Sequence, residues 1–130
     1  KPEEAARFVK ETGADRFAPA VGNLHGIAAN VKKLDIARIE AIRAVIGDTA
    51  MVLHGGSGTP DNQIKEVIEA GINNIHINTE LRVVYAEALR KFLIEHPDET
   101  TPYKFFAPVT EAVKAKAAEK IRLFGSENKI

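Results

Sequence analysis

The sequence has no cysteine and no tryptophan, only two tyrosines, and no charge of either sign in excess. Each shortage removes a class of answers. Without cysteine there are no disulfides, thiolate metal sites or cysteine nucleophiles, and the usage fits a cytoplasmic protein. Eighteen basic residues balance eighteen acidic ones, so nothing steers the chain to nucleic acid or an anionic membrane. No apolar run approaches the ~20 residues of a membrane span, and Lys1-Pro2-Glu3-Glu4 has none of the pattern of a signal peptide. What remains is 130 residues with 45% hydrophobic and 28% charged content, the composition of an ordinary globular domain with a core.

Periodicity divides the chain into alternating helices and strands. Pro2–Thr12 predicts a helix, with proline at its start, acids in its first turn, Phe8 and Val9 on its buried face, and Gly13 to stop it. Arg16–Val21 predicts a short strand, although Pro19 removes one ladder donor. Asp35 is placed to cap a helix carrying Ile36, Ile39, Ile42 and Ile46 on one stripe, closed by Gly47. Thr49–Leu53 is the second strand. A helix opened by Thr59-Pro60 carries Ile64, Val67 and Ile68, and Gly71 ends it. Ile72–Asn78 is the third strand. Thr79–Glu95 predicts a long helix with Leu81, Val84, Tyr85, Ala88, Leu89 and Phe92 on its inner face. A linker over His96–Pro102 leads to a last helix from about Pro108 to Phe124.

Strand-helix alternation at this spacing implies parallel strands with right-handed crossovers, either in a barrel or in an open doubly wound sheet. Both architectures bind ligands at the C-terminal ends of the strands. There the chain reads Gly22-Asn23-Leu24-His25-Gly26, then His54-Gly55-Gly56-Ser57-Gly58, then Asn78-Thr79-Glu80. His25 and His54 each follow a strand and precede a glycine, one strand-helix unit apart. On neighbouring strands about 4.8 Å apart, the two imidazoles can converge on one metal ion, which a catalytic zinc site would bind with three protein ligands and an open position. The plainer alternative is that each histidine lines a loop or caps a carbonyl.

The glycine loop has two readings as well. Successive amides of Gly55-Gly56-Ser57-Gly58 can face one point at the start of a helix, with the Ser57 hydroxyl beside them, which describes a phosphate cradle. A tight strand-to-helix turn would also need glycine. In the third strand Ile75 and Ile77 share one face while Asn74, His76 and Asn78 share the other. Parallel strands are normally apolar on both faces, so this polar face calls for buried partners, a ligand or solvent. Arg82, one turn into the next helix, can reach a second anionic group or lie solvated.

Together these three motifs, with Ile77-Asn78-Thr79-Glu80-Leu81-Arg82 and the closing Lys120-Ile121-Arg122-Leu123-Phe124-Gly125-Ser126, resemble the C-terminal part of class II, zinc-dependent fructose-1,6-bisphosphate aldolases. The likeness spans nearly the whole chain and corresponds to about strands six to eight, plus terminal helices, of a (βα)8 barrel. It implies one segment over residues 1–130, with 96–130 a C-terminal helical extension. By the resemblance, His25 and His54 match two zinc ligands. Gly26, Gly55, Gly56 and Ser57 match the site of the dihydroxyacetone phosphate moiety, as does the stretch His76, Ile77, Asn78, Thr79. Arg82 matches a position contacting the far phosphate.

The implied reaction is aldol cleavage of fructose 1,6-bisphosphate to dihydroxyacetone phosphate and glyceraldehyde 3-phosphate, in glycolysis and gluconeogenesis. The cofactor is Zn2+, with a monovalent cation as an additional candidate. The metal would polarise the ketone carbonyl and stabilise the enediolate formed when the C3–C4 bond breaks. The resemblance also implies a cytoplasmic homo-oligomer of the full-length chain, with sugar phosphates as partners and no nucleic acid or membrane.

The sequence departs from the family in several places. His76 stands where the family usually has asparagine, and Asn78 where many members have aspartate, which leaves fructose and tagatose bisphosphates both open. The family's lysine after its His-Gly is replaced by Ile27-Ala28-Ala29, with Lys32 and Lys33 further on. The family's acid-base aspartate, first histidine ligand and mobile-loop glutamate fall upstream of Lys1, so no catalytic acid-base is assigned here and the segment alone is expected to be inactive. Two other classes remain: a non-catalytic sugar-phosphate-binding partial barrel, and a structural fragment that folds only with its missing half.

Overall fold

A computed structural model describes residues 1–26 and 33–129. The element order is α1 (Pro2–Thr12), β1 (Arg16–Phe17), α2 (Ile36–Arg43), β2 (Ala50–Leu53), α3 (Asp61–Glu69), β3 (Ile72–Ile75), α4 (Thr79–Glu95) and α5 (Pro102–Leu123). The chain divides into two compact units, Lys1–Ile77 and a second that begins at Asn78. Among the described residues no helix is long and apolar enough to cross a membrane.

In the first unit the three strands form one sheet in the order β1-β2-β3, with both pairs parallel. Consecutive parallel neighbours joined by helices are what the alternating pattern requires. β2 is the central strand, and Met51, Val52 and Leu53 are buried. Ile39, Ile42 and Ile46 from the α2 region, Ile64 and Val67 of α3, and Ile72 of β3 complete the core. Burying a side chain such as Ile39 contributes about 1.5–3 kcal/mol, so this packing holds the strand ends in place.

Asp35 caps α2 as expected, accepting a hydrogen bond from the Arg38 amide. Gly13, in the left-handed region at φ 64°, ends α1, and its amide donates to the Val9 carbonyl at 2.9 Å.

Several expectations are corrected. β1 stops at Phe17 and does not run to Val21, because Pro19 cannot donate to the ladder; Val21 is nonetheless fully buried. Phe8 is exposed, at 49%, and packs on Phe17 with ring centroids 5.8 Å apart, while Ala5 is the buried residue of α1. β3 ends at Ile75, and the pairing of β2 with β3 slips between Met51 and Val52. There Asn73 is bulged out of the ladder, and its side-chain oxygen accepts from the Met51 amide at 2.9 Å.

A further correction falls in the second unit, where α5 begins at Pro102 and carries Pro108 in its interior. A proline fits at the first helical position, and an interior one removes a single hydrogen bond. On α4, Leu81, Val84, Ala88, Leu89 and Phe92 are half-buried while Tyr85 is exposed. Glu80 of α4 and Lys120 of α5 form an ion pair at 2.8 Å, with 14% and 11% of their side chains exposed.

Candidate active site at the strand ends

Two loops meet above β2. The first, Val21–Gly26, is tied down by its asparagine: Asn23 Oδ1 accepts from the Val21 amide at 3.0 Å, and Asn23 Nδ2 donates to the His54 carbonyl at 2.9 Å. The second, His54–Thr59, lies beneath it. A Cβ on Gly55 would stand 2.3 Å from the Leu24 carbonyl oxygen, and Gly55 itself sits at φ 67°. No side chain fits there, so this glycine is required by both the close approach and the backbone. Gly56 meets the third strand end, where a Cβ would lie 2.7 Å from Ile75 Cγ2 and 3.1 Å from the His76 carbonyl oxygen.

Pairing also continues past the end of β3. The His76 amide donates to the Leu53 carbonyl at 2.9 Å, and the Gly56 amide donates to the His76 carbonyl at 3.1 Å. The glycines therefore let three successive strand ends close on one another.

That closure brings three imidazoles together. The His25 and His54 ring centroids are 6.0 Å apart. His54 and His76 are 4.5 Å apart at 83°, with their Nδ1 atoms separated by 3.2 Å. His54 is half-buried, and His25 and His76 are exposed. Sharing one zinc at Zn–N ~2.0–2.1 Å in tetrahedral geometry sets two imidazole centroids roughly 5 Å apart; the His25–His54 pair lies a little beyond that spacing and the His54–His76 pair a little inside it. His76 stands edge-on beside His54. Among the described residues no group of three or more His, Asp or Glu side chains is placed to hold a metal.

Other expected site residues are placed as follows. Ser57 is 5% exposed and Gly56 is buried, with the Thr59 amide donating to the Gly56 carbonyl at 3.2 Å as α3 begins. Gly26 is half-buried and Ile77 borders Gly56. Asn78, Thr79 and Arg82 belong to the second unit. There the Asn78 carbonyl accepts from the Arg82 amide at 3.1 Å, and Arg82 lines an open groove of 660 Å³ along α4. Ile27-Ala28-Ala29 and Lys32, where the sequence departs from the family's lysine, lie outside the described residues; Lys33 is exposed.

Asn23 is the residue whose role sequence reasoning left unassigned. Its signal was its place after Gly22 in a strand-to-helix connection, where an asparagine side chain commonly bonds nearby backbone.

The chain resembles known proteins over nearly its whole length. A fructose-bisphosphate aldolase from Geobacillus stearothermophilus is 40% identical over 128 residues, which cover 98% of this chain and 44% of that protein. The crystal structure of the YdjI aldolase from Escherichia coli K12 superposes with a TM-score of 0.83 at 36% identity, over 99% of this chain and 46% of that one. The fructose-bisphosphate aldolase of Campylobacter jejuni shares the fold, with a TM-score of 0.85 at 18% identity, over 100% and 46% of the two chains. The chain thus spans less than half the length of these relatives, and its parallel sheet is part of a (βα)8 barrel. The family model described as fructose-bisphosphate aldolase class-II matches residues 1–129, and the chain belongs to that family.

Proposed function

We propose that these residues supply one side of the active site of a metal-dependent aldolase, which reversibly cleaves fructose 1,6-bisphosphate into dihydroxyacetone phosphate and glyceraldehyde 3-phosphate in cytoplasmic carbohydrate metabolism. The observation that carries the reading is the 6.0 Å approach of His25, in the loop after β1, and His54, at the end of β2. That donor set fits a zinc ion, with nitrogen ligands and a remaining ligand to come from the part of the barrel this chain does not span. When bound, the ion supplies Lewis-acid polarisation of the ketone carbonyl.

The chain's own residues bind and orient. The turn from Gly55 to Gly58 leads into α3, whose N-terminus favours an anion, although the Gly56 amide is committed to the His76 carbonyl. We assign it, with Gly26 and Ser57, to the phosphate of the dihydroxyacetone phosphate half of the substrate. Holding that phosphate fixes where the carbonyl can lie, a contribution of orientation that lowers the barrier without forming a bond. His76, Ile77, Asn78 and Thr79 follow at the next strand end and are assigned to the same half, and Arg82 to the far phosphate. The general acid-base lies outside this chain.

The test uses the full-length protein. Wild type should carry zinc and cleave fructose 1,6-bisphosphate. His25→Ala and His54→Ala should each lose both while keeping their circular dichroism spectra. Full zinc content in the double variant, or undiminished cleavage by it, would overturn the assignment.

A further inference from the structure

Among the described residues Lys120 is the one charged residue that is buried, and no step of the proposed chemistry uses it. It stands in the last turn of α5, and its Nζ lies 2.8 Å from Glu80 Oε2, in the first turn of α4. Glu119 Oε1 is further off, at 3.7 Å. Both helix ends are held by their own backbone. The Lys120 carbonyl accepts from the Phe124 amide at 2.9 Å, and the Gly125 and Ser126 amides donate to Arg122 and Ile121 at 3.0 Å. On α4 the Asn78 carbonyl accepts from the Arg82 amide at 3.1 Å. Each charge also suits its own helix, an anion at the N-terminus and a cation near the C-terminus.

An enclosed ion pair adds little net stability over apolar packing of the same volume. What it fixes is alignment. Sliding α4 by one residue moves the carboxylate ~1.5 Å along the axis and turns it by ~100°, which would leave two charges enclosed and apart. One placement of the first turn of α4 therefore satisfies Lys120. Thr79 and Arg82 belong to that turn, three residues apart, and both line the open groove along α4. Glu80, between them in sequence, is turned to α5.

We propose that the Glu80–Lys120 pair is a positioning device for the substrate: it sets the rotation and height of the first turn of α4, and so the directions of Thr79 and Arg82. This rests on the assignment of those two residues to the substrate. The pair acts through the helix end alone. Contacts with a phosphate remote from the bond being broken act on binding, so their loss should appear in KM more than in kcat.

The experiment compares full-length wild type with Lys120→Met and with the double variant Glu80→Leu/Lys120→Met. The double variant should unfold close to the wild-type urea midpoint, because it leaves no enclosed charge alone. Its KM for fructose 1,6-bisphosphate should nonetheless rise roughly 10–100-fold, as in Lys120→Met, with kcat and zinc content little changed. A crystal structure of the ligand-free double variant should show the first turn of α4 displaced against α5.

A double variant that recovers wild-type KM together with its stability would overturn the proposal and make the pair purely structural, as would an undisplaced turn. If wild type itself neither binds nor cleaves the bisphosphate, the functional reading fails, and the ligand-free structures still decide whether the pair sets the turn.

Discussion

The side-chain amide of Asn23 donates to the backbone carbonyl of His54 at 2.9 Å, and this one bond joins the loop that carries the first histidine to the residue that is the second. The same side chain accepts from the Val21 amide at 3.0 Å, so its removal leaves two part-buried backbone groups without partners. Asn23→Ala should destabilise the protein by about 1–3 kcal/mol, read as a lower midpoint in urea. It should also lower zinc affinity, because His25 and His54 would no longer be held at a fixed separation. Aspartate at the same position keeps the acceptor for Val21 but loses the donor to His54, and should separate the two effects.

Gly55 tests whether the loop's glycines act through backbone geometry. Alanine there is opposed twice, by the positive φ of 67° and by an oxygen 2.3 Å from the new Cβ. That oxygen belongs to the Leu24 backbone and cannot swing away. Gly55→Ala should therefore cost on the order of 2–4 kcal/mol and displace His25, whose amide adjoins that carbonyl. Gly47→Ala is the control: its φ is 59°, yet nothing lies within 4 Å of the added atom, so it should cost only about 1 kcal/mol of backbone strain. Equal losses in the two variants would show that close approach contributes nothing.

Much of this arrangement is readable from residue order, and its limits have physical causes. His25 and His54 stand out because each follows an expected strand and precedes a glycine, so their convergence needs only parallel, adjacent strands. The reach of β1 is overestimated because Val21 is apolar and fully buried, as a strand residue would be, although Pro19 has already ended the pairing. α5 starts a turn and a half earlier than expected because Pro108 looks like a helix start while Pro102 is the true one. The Nδ1 contact between His54 and His76 could not be foreseen, since it depends on a register that slips by one residue at Asn73. A bulge leaves no mark in a two-residue hydrophobic alternation.

In the second unit, the Glu80–Lys120 pair is nearly enclosed, so it cannot be lost without leaving a charge in a poor environment. Lys120→Met should cost about 3 kcal/mol in unfolding free energy. Replacing both residues with apolar ones of similar size should recover most of that loss. A double-mutant cycle by chemical denaturation measures the coupling, and a loss of only a few tenths of a kcal/mol would mean that the pair is effectively solvated.

Glu99 gives a pH dependence of definite sign. Hydrogen bonds from Lys104 Nζ, at 2.6 Å, and then from Thr101 hold its carboxyl down from the ordinary 4.5 to about 2. A depressed carboxyl pKa contributes stability that is present above the unfolded value and lost as pH falls through the folded one. The contribution should therefore fade between pH 4.5 and about 2. Lys104→Ala should raise the Glu99 pKa toward its ordinary value in a carbon-13 NMR titration. If the resonance titrates unchanged, the lysine is not the principal cause.

The last prediction concerns Ser57, assigned to the substrate phosphate and only 5% exposed. A hydroxyl this little exposed can serve an anion only at a fixed place, so its contribution should appear as binding and not as proton transfer. In the full-length enzyme, Ser57→Ala should raise KM or the inhibition constant of dihydroxyacetone phosphate by a hydrogen bond to a charged group, roughly 1.5–3 kcal/mol. The metal content should stay constant, since Ser57 is not among the nitrogen donors. Ser57→Cys, close in size but a weak donor, should behave like alanine if hydrogen bonding matters and like wild type if only packing does. Because the serine also has a contact within the protein, thermal stability has to be measured alongside. A drop in stability with unchanged KM would place Ser57 in the structure of the loop and remove it from the phosphate site.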